Sequence, residues 1–135
     1  MKRKDIHNRK DIEKLVDRFY GKVKTDPQLG HIFSDVARVN WTTHLPRMYD
    51  FWENIILQTG QYTGNPMTAH SRVHALQAFT KADFQRWLQL FNETLEDHFE
   101  GEHTEIARQR ALSIATIMEI KLLEQGRESF GPAQQ

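Results

Sequence analysis

Apolar residues recur every three or four positions along most of the chain, which is the period of an amphipathic helix. The first run begins after Asn8, whose side chain can cap a helix. It is predicted to end near Thr25, because Pro27 disfavours helical dihedral angles at Asp26. Its apolar positions are Ile12, Leu15, Val16, Phe19, Tyr20 and Val23. A short helical turn from Gln28 to Ser34 is then expected to bury Leu29, Ile32 and Phe33.

A second helix is predicted from near Thr43 to about Gln58. Asn40, Thr42 and Thr43 can each cap it, but proline is tolerated only in the first turn, so Pro46 favours the start near Thr43. Its apolar positions share one bulky face with a histidine at the leading end. That stripe consists of His44, Met48, Phe51, Trp52 and Ile55. Taken alone, such a stripe is typical of a helix packed in a protein core.

In the second half of the chain, the composition predicts a loop from Gln61 to Pro66. The apolar spacing then predicts a short helical segment over residues 67–76 and two longer helices. Thr80 and Asp83 match a capping box at the start of the first long helix. Its apolar residues are Phe84, Trp87, Leu88, Leu90, Phe91 and Leu95. The last helix is predicted from about Thr104 to Gln125, with Gly126 ending it. No alternating run indicates a strand, so the pattern predicts an all-α domain.

The amino-acid composition excludes several classes of function. The 135 residues suit a single domain, and we expect residues 1–7 and 127–135 to fray. Eighteen Lys and Arg balance eighteen Asp and Glu, which argues against binding to nucleic acid or to an anionic membrane. The absence of cysteine excludes thiolate chemistry, and no apolar run is long enough to cross a bilayer. A cytoplasmic, reducing compartment is expected.

The seven histidines and the carboxylates are the residues that remain for metal or acid–base chemistry. His70 and His74 are four residues apart, a spacing that puts two imidazoles on one helical face. They could form half of a zinc or di-iron site, but no carboxylate partner stands at ligand spacing. A helical metal-binding bundle that uses both therefore remains an alternative, as does a purely structural helical module.

Tyr20 and Trp87 each carry a polar donor among apolar neighbours. A buried donor must find an acceptor. That acceptor is either a backbone carbonyl or water, or a ligand in a cavity that both side chains share. The pattern alone leaves both interpretations open.

Several motifs together resemble the truncated haemoglobins, and most closely the third group of that family. The resemblance covers roughly residues 8–125, and no single motif carries it. The matching features are Phe19 with Tyr20, the stretch from Asp26 to Phe33, His44 and Trp52 on one helix, Tyr62-Thr-Gly-Asn-Pro leading to His70, and Trp87 between Phe84 and Phe91.

This resemblance implies a truncated globin-like fold, a two-over-two helical sandwich around haem b (iron protoporphyrin IX). His70 would be the proximal iron ligand, with His74 as its rival. Tyr20, His44 and Trp87 would line the distal side and stabilise the ligand. The other cofactor-binding residues would be Phe33, Met48, Phe51, Trp52, Ile55, Tyr62 and Arg72.

The implied function is binding of diatomic gases such as O2, NO and CO. Two donors on the distal side would slow ligand release, which suits oxygen, nitric oxide or peroxide chemistry better than bulk transport. His44 would either gate the pocket or bind the iron itself. Nitric oxide dioxygenase or peroxidase-like activity would need an electron-donating reductase as partner. A monomer or weak homodimer is expected.

Overall fold

A computed structural model describes residues 3–32, 40–58 and 80–134, with the stretch 121–134 as backbone only. These residues form four helices: α1 Arg9–Thr25, α2 Trp41–Leu57, α3 Lys81–His98 and α4 Glu102–Gln134. Helix α1 packs on α2 and α3 packs on α4, while α1 also contacts α3 and α2 contacts α4. One pair therefore lies over the other, which confirms the predicted all-α arrangement. Within the described ranges, none of the helices has the length and apolar character needed to cross a membrane.

Helix α1 has the predicted bounds. The side chain of Asn8 accepts a hydrogen bond from the backbone N–H of Asp11 at 3.0 Å, and the chain turns extended at Asp26. The Asp26 carboxylate then accepts the backbone N–H groups of Gln28 and Leu29, each at 3.0 Å. This cap forms the turn that buries Leu29 and, beyond it, Ile32.

Helix α2 begins at Trp41, so the predicted start near Thr43 is wrong. The side chain of Asn40 caps the helix by accepting the backbone N–H of Thr42 at 3.1 Å. Pro46 consequently lies inside the helix rather than in its first turn. Thr42 and Pro46 are both exposed, so the Thr42 carbonyl that Pro46 leaves without a helical donor can bind water. The helix ends where Gln58 adopts a left-handed conformation.

Helix α3 begins with the predicted capping box. The Thr80 hydroxyl accepts the Asp83 N–H at 3.2 Å, and the Asp83 carboxylate accepts the Thr80 N–H at 2.9 Å. Helix α4, by contrast, continues through Gly126 to Gln134, so the predicted end at Gly126 is wrong. A glycine lowers helix stability by only about 1 kcal/mol, and by itself that does not stop a long helix.

The amino-terminal segment is packed rather than frayed, which corrects the prediction for residues 4–7. Ile6 is fully buried. The carbonyl of Lys4 accepts the Glu100 N–H at 3.0 Å, and Lys4 forms an isolated bridge with Phe99. These contacts hold the start of the chain against the junction between α3 and α4, where an apolar side chain is covered.

Asp5 caps helix α4 from outside that helix. Its carboxylate accepts the backbone N–H groups of His103 and Thr104 and the Thr104 hydroxyl, each at 2.8 Å. The His103 Nδ1 donates to the carbonyl of Ile6 at 2.6 Å. Gly101 has φ +143, and a Cβ there would lie 2.5 Å from the Asp5 Cγ, so only glycine suits the position. We call Asp5, Ile6, His103 and Thr104 the amino-terminal clamp.

Candidate functional site

The packing of α1 against α2 brings Tyr20 and His44 together. Tyr20 is buried, with 4% of its surface exposed, and His44 is half-buried. The Tyr20 hydroxyl lies 3.3 Å from the His44 Nε2, and the ring centroids are 5.3 Å apart in an edge arrangement. Of the residues that the sequence predicts on the distal side, these two are in direct polar contact.

Burial keeps the Tyr20 hydroxyl protonated. Removal from water disfavours the phenolate and raises the pKa of Tyr20 well above its ordinary value of 10.0. At neutral pH the side chain is therefore a hydrogen-bond donor with one proton. Whether that proton points to His44 depends on the imidazole tautomer. If His44 Nε2 carries a proton, it donates to the phenol oxygen and the Tyr20 proton is available to a third group.

Aromatic rings from three helices form the wall beside this pair. Phe19 contacts Tyr20 at 4.8 Å and Trp87 at 5.4 Å between ring centroids. Phe91 stacks on Trp52 at 4.8 Å and on Trp87 at 5.9 Å. Trp87 therefore belongs to the same cluster as Tyr20 and is linked to it through Phe19. The site is polar at one point and apolar around it.

The predicted stripe on α2 is largely buried. Met48, Phe51 and Trp52 are 2–4% exposed, as expected for a wall. Ile55 is half-buried and packs against the core, whereas Ile56 is buried. Ile56 was not among the predicted residues, although it stands one helical turn after Trp52.

Trp41 is a further residue at this site that the sequence analysis did not single out. Its ring lies 5.2 Å from the Tyr20 ring and 5.6 Å from the His44 ring, centroid to centroid. The Nζ of the exposed Lys24 lies 4.4 Å from the Trp41 ring centroid. The available signal was spacing, because Trp41 stands three residues before His44 and shares its helical face.

The remaining predicted residues, Phe33, Tyr62, His70, Arg72 and the rival ligand His74, lie outside the described residues. Among the residues that are described, no group of three or more His, Cys, Asp or Glu side chains is arranged to hold a metal ion. The geometry above therefore concerns the distal half of the predicted site.

Two pairs of helices, one over the other, with a buried tyrosine of α1 in contact with a half-buried histidine of α2, define a small all-α globin. The chain belongs to the bacterial-like globin family, whose family model matches residues 5–121. It is 33% identical over 122 residues to the group 3 truncated hemoglobin ctb of Campylobacter jejuni, covering 88% of this chain and 94% of that protein.

A solved structure gives the same result. The crystal structure of a group III truncated hemoglobin from Campylobacter jejuni superimposes with a TM-score of 0.76 at 31% identity, covering 90% of this chain and 95% of that one. The resemblance to third-group truncated haemoglobins that the sequence predicts is confirmed. Family membership implies haem binding and, through it, binding of diatomic gases.

The distal residues suit a haem pocket. A small gas ligand on iron needs an apolar cavity with few, well-placed donors. The Tyr20–His44 pair supplies polar groups at one point, and the neighbouring aromatic rings supply the apolar surroundings.

Proposed function

We propose that this protein binds haem b with His70 as the proximal ligand and with Tyr20, His44 and Trp87 on the distal side. The observation that carries the proposal is the contact of 3.3 Å between the Tyr20 hydroxyl and the His44 Nε2. It joins two residues 24 positions apart in the sequence that the family resemblance assigns to one pocket. Phe33, Tyr62 and Arg72 complete the proposed cofactor contacts.

Haem held by one imidazole would supply an iron that can bind a diatomic gas. Tyr20 donates its proton toward a ligand that carries partial negative charge. His44 supports this when its Nε2–H donates to the phenol oxygen, because a chain of hydrogen bonds polarises each member. A donor of this kind stabilises a charged acceptor by about 1–3 kcal/mol. The surrounding rings exclude water and thereby strengthen the interaction.

Ligand retention of this strength suits chemistry on oxygen, nitric oxide or peroxide better than bulk transport. Each hydrogen bond to the ligand slows its dissociation, and a transport protein must release its cargo readily. Turnover would need an electron-donating reductase as partner. His44 would act as the gate of the pocket or would bind the iron itself when no gas is present. We propose a cytoplasmic protein that is a monomer or a weak homodimer.

The test compares two histidines of one segment. Protein produced in haem-replete cells is expected to be red, with a strong absorbance band near about 400 nm, as haem proteins are. His70→Ala should lose haem or its fifth-ligand coordination, and the matched variant His74→Ala should keep both. The opposite result would make His74 the ligand. A folded, colourless and metal-free protein would contradict the proposal, and zinc without iron would favour the helical metal-binding bundle.

A further inference from the structure

Trp41 lies beside Tyr20 and His44, which we call the distal pair. It is half-buried, and its ring contacts both Tyr20 and His44. On its outer side, the exposed Lys24 places its ammonium group 4.4 Å from the ring centroid. A cation this close to an indole is attracted to the electron-rich face of the ring. Lys24 of α1 thus holds Trp41, the first residue of α2, by a cation–π contact that lies outside the hydrophobic core.

The contact between His44 and Tyr20 contributes little to holding the imidazole in place, because it is long. A distance of 3.3 Å exceeds the usual length of a hydrogen bond to a hydroxyl. The imidazole is only half-buried, so an outward rotamer would gain hydration. The Trp41 ring packs edge-on against the His44 ring, with 80° between the ring planes. This packing favours the His44 rotamer that points inward to Tyr20.

We propose that Trp41, held by Lys24, is a positioning residue that keeps the His44 ring turned inward on the Tyr20 hydroxyl and so limits access of gas ligands to the distal pocket. This rests on the proposed function, since it assumes that the ligand binds beside Tyr20. Without the indole, His44 turns outward for more of the time. Ligand entry then becomes faster, and the Tyr20 proton loses the partner that orients it.

The experiment measures carbon monoxide rebinding to the ferrous haem protein after laser photolysis. We expect Trp41→Leu to raise the association rate about tenfold and Lys24→Gln about threefold. Lys24→Arg should restore the native rate, because guanidinium also binds an indole face. The matched control is Lys14→Gln. The Lys14 Nζ also lies near an aromatic ring, 5.8 Å from the ring centroid of Phe99, but this contact does not involve Tyr20 or His44. This control should leave the rate unchanged.

The carbon monoxide stretching band provides a second measurement, because its frequency reports the donors that face the ligand. Trp41→Leu should split or shift this band, whereas a purely structural effect would alter only thermal stability. Trp41→Phe, which keeps an aromatic ring in place, should lie between the wild type and the leucine variant. A native rate and a native band in Trp41→Leu would overturn the proposal. Equal rates in Lys24→Gln and Lys14→Gln would overturn it too. A wild-type protein that forms no carbon monoxide adduct would instead contradict the proposed function.

Discussion

The distal pair and the amino-terminal clamp are both partly buried polar contacts between distant segments, yet they are built differently. In the clamp, one carboxylate accepts three hydrogen bonds of 2.8 Å. In the distal pair, the Tyr20 hydroxyl and the His44 Nε2 lie 3.3 Å apart. The clamp carboxylate thus uses its hydrogen-bonding capacity within the fold, while the buried Tyr20 hydroxyl carries a proton that it can donate to a ligand.

The pKa values of the two sites shift in opposite directions. Burial alone would raise the pKa of Asp5, but the hydrogen bonds from His103, Thr104 and Ile6 outweigh it and keep the pKa below its ordinary value of 3.8. Burial raises the pKa of Tyr20. The clamp keeps a charge because donors surround it, and Tyr20 keeps its proton because burial disfavours the phenolate. A carboxylate that accepts several hydrogen bonds stabilises the fold, whereas a buried hydroxyl that keeps its proton is suited to donating to a ligand.

The largest effect is expected from breaking the clamp. Asp5→Ala should lower the free energy of unfolding by about 2–4 kcal/mol, because it removes a helix cap and leaves the buried Thr104 without its acceptor. Urea denaturation measures this. Glu100→Ala is the matched control, since it removes an exposed carboxylate paired with Arg3 at 3.7 Å and should change stability by less than about 0.5 kcal/mol. Equal losses in both variants would show that the clamp is not a specific cap.

A smaller effect is expected from breaking the distal pair, and it should fall on the ligand. Tyr20→Phe should speed oxygen dissociation more than tenfold, which corresponds to about 1.4 kcal/mol or more. Stopped-flow ligand replacement measures the rate. Tyr49→Phe is the control, because the exposed Tyr49 hydroxyl donates to Asp17 outside the pocket. An unchanged rate in Tyr20→Phe would assign ligand retention to Trp87 or to water.

The smallest and most gradual effect is the dependence on pH. The folded pKa of Asp5 lies below 3.8, so its contribution to stability is complete above about pH 5 and is lost as the pH falls through the folded pKa. The folded pKa of Tyr20 lies above 10.0, so its contribution is complete below that value and is lost as the pH rises. Denaturation curves of wild type and Asp5→Ala should converge in acid. Wild type should lose stability relative to Tyr20→Phe in alkali. If wild type and Asp5→Ala converged in alkali instead, the assignment for Asp5 would be contradicted. If wild type lost stability relative to Tyr20→Phe in acid instead, the assignment for Tyr20 would be contradicted.

The sequence predicted those features that depend on local chemistry. The Asn8 cap, the box of Thr80 with Asp83 and the buried face of α1 follow from spacing and capping rules, and the structure confirms them. The start of α2 was predicted wrongly because a proline is tolerated inside a helix where the carbonyl that it leaves without a donor is exposed to water. The sequence does not show that Thr42 and Pro46 are exposed, so it could not favour the cap at Asn40. Asp5 was missed for another reason, since the helix that it caps begins almost a hundred residues later.

For the site, the family resemblance selected Tyr20 and His44, and the structure brings them together. Periodicity alone could not have done so, because the two residues lie on different helices. Trp41 escaped notice because its role depends on Lys24, a residue that reads as an ordinary exposed lysine. Contacts between helices therefore carry the part of the site that spacing within one helix cannot predict.

The separation of 98 residues between Asp5 and His103 has a consequence for the kinetics of folding. Closing so long a loop costs chain entropy, and the hydrogen bonds of the clamp recover it only when α3 and α4 already stand in place. The clamp should therefore form after the rate-limiting step. Loss of Asp5 would then leave the folding rate nearly native and accelerate unfolding instead. The segment that contains Asp5 would be among the last to dock, and it would determine how long the folded protein persists.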